Sequence, residues 1–280
     1  MSERVVAITG GAGGMGLAAA KLLGRERRVL LSDVREDRLA EAAAELRDLG
    51  IDADTIAGDV ASRADVDAIA ARAASLGEVA AVVHTAGVSP QMGSSEAIVR
   101  INALGTVHVA EAFLPLATEG FALVNVASTA GHLPRALRLP ARTCRLAATD
   151  PDRFVAAVGR RCRPVPEARR TGMAYSLSKQ FAIWYSQHLA GDLGAVGASV
   201  VSVSPGSIDT EMGRLEDEAG AGDLARRSAL GRFGRVEEVA AVLELCAGGR
   251  ATYLTGTDIL VDGGAAAVMT FRDVLEMARR

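Results

Sequence analysis

Short apolar runs rich in β-branched residues alternate along the chain with longer stretches in which charged residues recur at helical spacing. The first pattern is typical of buried parallel strands and the second of amphipathic helices packed on a sheet. Because right-handed crossovers place helices on both faces, we expect a single α/β domain over residues 1–280 with a doubly wound (Rossmann) parallel sheet. Its seven strands are predicted near residues 4–9, 28–33, 51–57, 79–85, 120–127, 198–204 and 257–261.

The composition narrows the class of protein. Hydrophobic residues make up 49% of the chain and charged residues 23%, which is typical of a soluble α/β protein. A formal net charge of -3 gives no indication of a nucleic-acid partner. No signal peptide or membrane span can be drawn, so we expect a cytoplasmic protein without membrane contact. The cysteines show no metal-ligand or disulfide spacing, so no metal is expected; they are Cys144, Cys162 and Cys246.

A glycine-rich turn joins the first predicted strand to the first helix, from Thr9 to Gly16 (TGGAGGMG). Such a turn offers backbone N–H groups and the positive end of a helix dipole to a pyrophosphate, with no Cβ in the way. Taken alone it is equally consistent with a flexible turn. An acidic residue, Asp33, ends the second strand, where the carboxylate that binds a ribose belongs. Together the two features predict a dinucleotide site.

Further polar residues follow the next strands. Asp59 closes the third strand, where its carboxylate could bind an adenine amino group, although taken alone an N-cap or turn aspartate is favoured. The segment from His84 to Gly87 (HTAG) follows the fourth strand, and its small residues would allow a cofactor to approach the backbone. Asn102 lies in an apolar helical stretch and must find hydrogen-bond partners, either in the core or in a site.

A tyrosine and a lysine stand four residues apart, Tyr175 and Lys179, and would share one face of a helix. The ammonium would then lower the phenol pKa from its reference of about 10 toward the working pH. Such a phenol can exchange a proton with a carbonyl or alcohol oxygen that Ser128, at the end of the fifth strand, holds in place. A surface pair is the alternative interpretation of the spacing alone.

These motifs, in this order, resemble the short-chain dehydrogenase/reductase family, classical type, over nearly the whole chain. Thr9, Gly10, Gly14 and Gly16 match its TGxxxGxG pattern, and Pro205-Gly206 resembles its PG motif. The catalytic residues that the resemblance implies are Asn102, Ser128, Tyr175 and Lys179. The cofactor-binding residues that it implies are Thr9, Gly10, Gly14, Met15, Gly16, Asp33, Asp59, Val60, Ala86, Gly87, Tyr175, Lys179, Pro205, Gly206, Ile208 and Thr210.

The resemblance implies an oxidoreductase that transfers a hydride between a nicotinamide and a small-molecule secondary alcohol or ketone. In that scheme Asn102 holds a water that relays protons to Lys179, which binds the nicotinamide ribose and tunes Tyr175. We expect NAD rather than NADP, because Asp33 would bind both ribose hydroxyls and repel a 2′-phosphate. Arg35 and Arg38 are assigned to the solvated face of the second helix. The alternative is a catalytically idle NAD-binding regulator or scaffold, although such proteins usually lose the tyrosine or the lysine.

The resemblance also implies a homo-oligomer, a dimer or tetramer, since family members usually pair through the helices that carry Asn102 and Tyr175. In two places this chain departs from the family pattern. His84 and Thr85 replace two asparagines, which should remove amide ties between strands and affect stability more than chemistry. The 47 positions from Ser128 to Tyr175 are far more than the family usually has.

Residues 132–171 are therefore interpreted as a helical insertion, as in some bacterial hydroxysteroid dehydrogenases. Ten of its residues are arginines, against three acids. A solvated decoration, an oligomer contact and a lid are the alternatives, and we favour a lid over the substrate pocket. It would suit a bulky, steroid-like alcohol or ketone, with rim arginines available to an anionic tail. The side chains expected to face the substrate are Leu133, Leu137, Leu139 and Phe154.

Overall fold

A computed structural model describes residues 4–210, 213 and 222–268. Seven parallel strands form one sheet in the order β3-β2-β1-β4-β5-β6-β7. The predicted fold class is confirmed, and every strand lies within two residues of its predicted bounds. The strands are β1 (Arg4–Thr9), β2 (Arg28–Asp33), β3 (Ala53–Ala57), β4 (Glu78–His84), β5 (Ala122–Val126), β6 (Ser199–Pro205) and β7 (Thr257–Val261).

Helices cover both faces of the sheet. Those between the first four strands are α1 (Gly14–Leu23), α2 (Glu36–Asp48) and α3 (Arg63–Leu76). Between β4 and β6 lie α4 (Ser95–Val99), α5 (Gly105–Phe113), α6 (Ala141–Cys144), α7 (Leu146–Thr149), α8 (Pro151–Cys162), α9 (Arg170–His188) and α10 (Ala190–Gly194). The described C-terminal helices are α11 (Gly222–Arg227), α12 (Val236–Ala247) and α13 (Ala265–Val268). A π-helical turn, Arg100–Leu104, connects α4 to α5.

The alternation of side chains along the strands explains the two hydrophobic cores. In β1, Val5 and Ala7 belong to the core on one face, together with residues of α3, α5 and α9. Val6 and Ile8 belong to the core on the other face, with residues of α1, α2 and α12. Since both faces of every central strand are buried, these strands read in the sequence as continuous apolar runs.

One cross-strand row on the α9 face is polar: Thr9, His84, Asn125, Ser202 and Asp258. Thr9 Oγ1 and His84 Nδ1 lie 2.7 Å apart, and Thr85 Oγ1 donates to the Thr9 carbonyl at 2.8 Å. The amide ties that the two family asparagines would make are therefore absent, as expected, but other hydrogen bonds replace them. An imidazole and a hydroxyl make hydrogen bonds between β1 and β4 in place of the amides.

The segment 132–171 is helical, but its apolar side chains do not all point where we expected. Phe154 is fully buried and its ring lies 5.0 Å from that of Phe181 on α9, centroid to centroid. Leu139 is also buried in the core, and its N–H donates to Gln180 Oε1 at 3.0 Å. The two side chains therefore pack on α9 instead of facing a substrate. Leu133 is partly buried against the same core, and Leu137 is 41% exposed.

The physical reason is the spacing of the apolar residues in α8. Phe154, Val155, Val158 and Cys162 form one stripe of the helix, which is buried against α4 and α9. Asp150 caps the helix by accepting from the Arg153 N–H at 3.1 Å, as its sequence predicts. Whether any part of residues 132–171 also acts as a lid stays a prediction.

The helical stretch Ser95–Leu116 is long and apolar enough, by length and composition, to cross a membrane. Most of it is buried inside the protein, where it packs against α3 and α9. Its apolar character is accounted for by this position in the core.

Candidate active site

A cavity of about 620 Å³ opens where the strand order reverses between β1 and β4. The helices that follow these two strands lie on opposite faces, so a crevice forms at the carboxyl ends of the strands. The volume is within the range usual for small-molecule sites. Ten of the predicted cofactor-binding residues line it: Gly10, Gly14, Met15, Gly16, Asp33, Asp59, Val60, Ala86, Gly87 and Thr210.

Close backbone contacts explain the glycines at one wall of the cavity. Gly10 has a φ of 65°, and a Cβ there would lie 2.7 Å from the Ala86 nitrogen. A Cβ on Gly16 would collide with the Gly10 carbonyl and lie 2.8 Å from Thr85 Oγ1. The turn therefore stays pressed against the end of β4, with the N-terminus of α1 at the cavity wall. This is the cradle that a pyrophosphate requires.

Charged side chains line the other end of the cavity. Asp33 is the last residue of β2 and lines the cavity, and its Oδ1 accepts from the Arg35 N–H at 3.3 Å. Arg35 and Arg38 also line the cavity, so assigning them only to a solvated helix face is wrong. The Arg35 guanidinium is bound to Asp37, with Nη2 and Oδ2 2.7 Å apart. Asp59 Oδ1 accepts from the Ala61 N–H at 2.8 Å, as a turn aspartate does, and the residue also lines the cavity. Its binding of an adenine stays a prediction.

Asn102 lies in the π-helical turn between α4 and α5 and is buried. Its Oδ1 accepts from the Val88 N–H at 2.8 Å, and its Nδ2 donates to the Val88 carbonyl at 3.0 Å. The same Nδ2 lies 3.3 Å from Ser178 Oγ on α9. The amide thus ties the loop after β4, which lines the cavity, to α9. Single π-helical turns of this kind are frequent at functional sites.

Tyr175 and Lys179 lie on one face of α9, as their spacing predicts. Lys179 is 7% exposed, and its Nζ donates to the Val126 carbonyl at 2.9 Å. The ammonium lies 5.9 Å from the centroid of the Tyr175 ring. A Cβ on Gly87 would lie 3.4 Å from Lys179 Nζ and 3.1 Å from Asn102 Oδ1. The lysine therefore reaches the edge of the cavity beside the predicted asparagine.

Ser128 is half-buried and begins a 3₁₀ turn, Thr129–Gly131, directly after β5. Its Oγ accepts from the Ala130 N–H at 3.2 Å. The turn lies against α9, because a Cβ on Gly131 would meet the Gln180 nitrogen at 2.8 Å. The fold thus brings the four predicted catalytic residues to the carboxyl end of β4 and β5 and the neighbouring part of α9.

The six other predicted cofactor residues do not line the cavity: Thr9, Tyr175, Lys179, Pro205, Gly206 and Ile208. Thr9 is fully buried behind the glycine turn, where its hydroxyl bonds to His84. Ile208 lines a separate cavity of about 110 Å³. Pro205 and Gly206 follow β6, and a Cβ on Gly206 would lie 2.9 Å from Asp262 Cα. These residues position the chain that leads to Thr210, which does line the large cavity.

Several cavity residues were not anticipated from the sequence. Val88 and Met92 belong to the loop after β4, whose position depends on the Asn102 tie, and Ile101 lies in the π-helical turn. Gly58 directly precedes Asp59, and a Cβ there would lie 3.1 Å from Ile69 Cδ1. Gly58 could have been predicted to line the cavity, because a glycine directly before an acidic residue at a strand end is typical of such a wall.

Burial shifts the pKa values of several titratable groups in the protein. Burial, with a smaller contribution from Lys179, lowers the pKa of His84 to about 3, so its imidazole is neutral at working pH. Burial raises the pKa of the Cys144 thiol to about 12 and of the Cys246 thiol to about 11, so these thiols are not nucleophiles. Of the two residues predicted to act in proton exchange, Lys179 has its Nζ beside Gly87, which lines the cavity.

Comparison with known proteins identifies the family. A family model described as short chain dehydrogenase matches residues 4–140, and one described as Enoyl-(Acyl carrier protein) reductase matches residues 165–266. A short-chain dehydrogenase/reductase of Alternaria brassicicola, bsc3, is 33% identical over 96% of this chain and 98% of its own length. The chain belongs to the short-chain dehydrogenase/reductase family. It is an oxidoreductase of that family, acting on alcohol or ketone substrates with a nicotinamide dinucleotide.

Two further comparisons give one relative and one solved structure. Cis-4-hydroxycyclohexanecarboxylate dehydrogenase of Sinomonas cyclohexanicum is 29% identical over 95% of this chain and 98% of its own length. An actinorhodin polyketide ketoreductase variant, determined with NADPH, superposes with a TM-score of 0.74 over 94% of this chain and 97% of its own. At 23% identity, the second similarity concerns the fold alone.

Proposed function

We propose that the protein is an NAD-dependent dehydrogenase or reductase that acts on a ring-containing secondary alcohol or ketone. The observation that carries the proposal is the placement of Lys179 Nζ, bound to the Val126 carbonyl and 5.9 Å from the Tyr175 ring centroid, at the edge of the cavity. A nicotinamide held in the cavity would supply hydride transfer to or from the substrate carbon. The glycine cradle and the cavity volume suit this cofactor.

The residues of the chain supply the proton and the geometry. The Tyr175 phenol exchanges a proton with the substrate oxygen, and the nearby Lys179 ammonium favours its ionised form. Ser128 donates a hydrogen bond to the same oxygen. Asn102 keeps the loop at Val88 in place and bonds to Ser178, so it positions the wall of the site beside Lys179. We also assign a proton relay through a water to the region between Asn102 and Lys179.

Asp33 supports NAD as the cofactor. Its carboxylate lies at the cavity wall beyond β2, where it would accept hydrogen bonds from both ribose hydroxyls and repel a 2′-phosphate. Arg35 and Arg38 line the same end and would attract that phosphate. The Arg35 guanidinium is bound to Asp37, which weakens its pull on a phosphate. We therefore give Asp33 the larger influence on cofactor choice.

The proposal of a ring-containing substrate is supported by the name of one relative, a dehydrogenase of a hydroxycyclohexane carboxylate. It agrees with the apolar side chains of Val88, Met92 and Ile101 at the cavity. The catalytically idle alternative is not favoured, because Tyr175 and Lys179 are both present and lie close together, with Nζ 5.9 Å from the ring centroid.

The test is turnover of a panel of cyclic and acyclic secondary alcohols and ketones, followed by absorbance of the reduced cofactor. Tyr175→Phe should lower kcat by at least about a hundredfold while leaving cofactor affinity nearly unchanged, since the lost phenol acts in proton transfer. Tyr253→Phe, at a fully exposed tyrosine, is the matched control and should retain full activity. A Tyr175→Phe rate within a few-fold of the parent would show that another group is the acid or base.

A further inference from the structure

A second cavity, of about 310 Å³, lies between α4, α8 and the start of α9. Its apolar lining comes from buried side chains of all three helices, including Val99, Val155, Val158 and Ala174. It shares no lining residue with the cofactor cavity in the described part of the chain. The site is therefore separate from the candidate active site, although Ala174 precedes Tyr175 on α9.

The charges around this cavity are unbalanced. Arg160 and Arg163, from the C-terminal end of α8 and the residue after it, both contribute to the lining. Neither makes a hydrogen bond or ion pair with its side chain in the described part of the chain. Glu96 also lines the cavity, but its Oε1 already accepts from Arg100 Nε at 3.0 Å. Two guanidinium groups thus remain available beside an apolar floor.

We propose that this cavity binds a small amphipathic anion, an aliphatic or ring-containing carboxylate, with its apolar part between α4 and α8. Burying the apolar part against Val99, Val155 and Val158 would supply most of the affinity. The two arginines would hold the carboxylate at the rim, where planar guanidinium groups match the geometry of carboxylate oxygens. The volume is at the lower end of the range for small-molecule sites, which fits a ligand of this size.

Gly159 provides a way to close the cavity without disturbing the fold. It lines the cavity, and a Cβ built on it would meet nothing within 4 Å. Gly159 is exposed, so a large side chain there would stand at the rim of the cavity without colliding with backbone. Gly159→Phe should therefore obstruct entry to the proposed site while α8 keeps its buried stripe on α4 and α9.

The probe is decanoate, below its micellar concentration, titrated calorimetrically into the whole protein with the cofactor cavity saturated by NAD. We expect one decanoate per chain, with binding weakened about tenfold or more in Arg160→Ala/Arg163→Ala, since both ionic partners are removed. Arg142→Ala/Arg153→Ala removes the same charge at exposed arginines of the same segment that do not line the cavity, and should bind within about twofold of the parent. Decan-1-ol, which lacks the charge, should bind more weakly than decanoate.

Gly159→Phe should abolish this binding and leave the thermal midpoint of the protein at or near the parent value. Equal loss of affinity in the two arginine pairs would mean general charge attraction and would overturn the proposal. Unchanged binding in Gly159→Phe would place the ligand elsewhere and overturn it as well. The same titration without NAD measures decanoate binding to the second cavity whether or not the protein uses NAD. A wrong assignment of the proposed function would therefore not affect the result for this cavity.

Discussion

The state of one buried residue, His84, depends on where the fold places it. The imidazole bonds to Thr9 Oγ1 in the polar row and has a pKa of about 3, against an ordinary value of 6.5. Below pH 6.5 the unfolded chain takes up this proton and the folded chain does not, so the free energy of unfolding falls as the pH falls. The stabilisation is complete above pH 6.5 and is lost progressively toward the folded pKa.

We predict that protonation of His84 on unfolding makes the free energy of unfolding about 2 kcal/mol lower at pH 5 than at pH 8. Urea unfolding at the two pH values measures how far the free energy of unfolding falls from pH 8 to pH 5. This fall should be about 2 kcal/mol smaller in His84→Asn than in the parent. His188→Asn, at an exposed histidine, should show the same drop as the parent. An unaltered drop in His84→Asn would mean that the imidazole is protonated within the folded protein.

At the other end of the cofactor cavity, we predict that Asp33→Asn shifts cofactor preference from NAD toward NADP by about tenfold or more, because it removes the charge that repels a 2′-phosphate. Arg35 and Arg38 line the same wall and would then attract that phosphate. The measurement is the ratio of kcat/KM for the two cofactors. Asp48→Asn, at an exposed aspartate at the end of α2, is the control and should leave the ratio unchanged.

At the scale of single elements, substitution of two helical glycines by alanine should change stability in opposite directions. Gly16 in α1 is packed against the Gly10 carbonyl and Thr85 Oγ1, whereas Gly159 in α8 faces open space. Gly16→Ala should therefore lower both stability and cofactor affinity by forcing the glycine turn away from β4. Gly159→Ala should raise the free energy of unfolding by roughly 0.5–1 kcal/mol, since alanine is the better helix former. Thermal melts with and without cofactor would measure both effects.

The strands could be predicted from the sequence because their signal is local. A run such as Val5 to Ile8 is buried on both faces and is apolar throughout, so its length and position are visible without the rest of the chain. The packing partner of the buried side of α8 could not be predicted from the sequence in this way. Phe154 and Leu139 belong to an apolar stripe whose partner, the side of α9 that carries Phe181, is fixed only by tertiary packing.

The candidate site was predictable to the extent that its residues stand at strand ends. Asp33, Asp59 and Ser128 each follow a strand, and Tyr175 and Lys179 share a helix face by their spacing. The roles of Arg35 and Arg38 were missed because the first turn of α2 lies at the cavity wall, which depends on the angle between β2 and α2. The hydrogen bonds of Asn102 to Val88 join residues 14 positions apart and have no local signature.

At the scale of the whole molecule, α8 covers parts of the two helical elements at which the family resemblance predicts pairing. It packs against α4, directly before Asn102, and against α9, which carries Tyr175. Arg100 Nη2 binds Asp152 Oδ1 at 2.9 Å and fastens the start of α8 to the end of α4. We therefore propose that any homo-oligomer of this chain pairs through a different surface, and that α8 acts as a covering layer.

The covering role and the lid role of residues 132–171 predict different results when residues 133–170 are replaced by a short glycine-serine linker. Removing the cover would expose the side of α9 that carries Leu177 and Phe181, so the variant should self-associate to a larger mass in size-exclusion chromatography with light scattering. Cofactor affinity should persist, because no residue of this segment lines the cofactor cavity. A lid would instead leave the mass unchanged and raise KM strongly for large substrates only. Phe154→Ala separates the covering role from the lid role further. Loss of a core ring should lower the free energy of unfolding by about 3–5 kcal/mol without a selective effect on KM. Loss of a substrate-facing ring would instead raise KM for large substrates with little loss of stability.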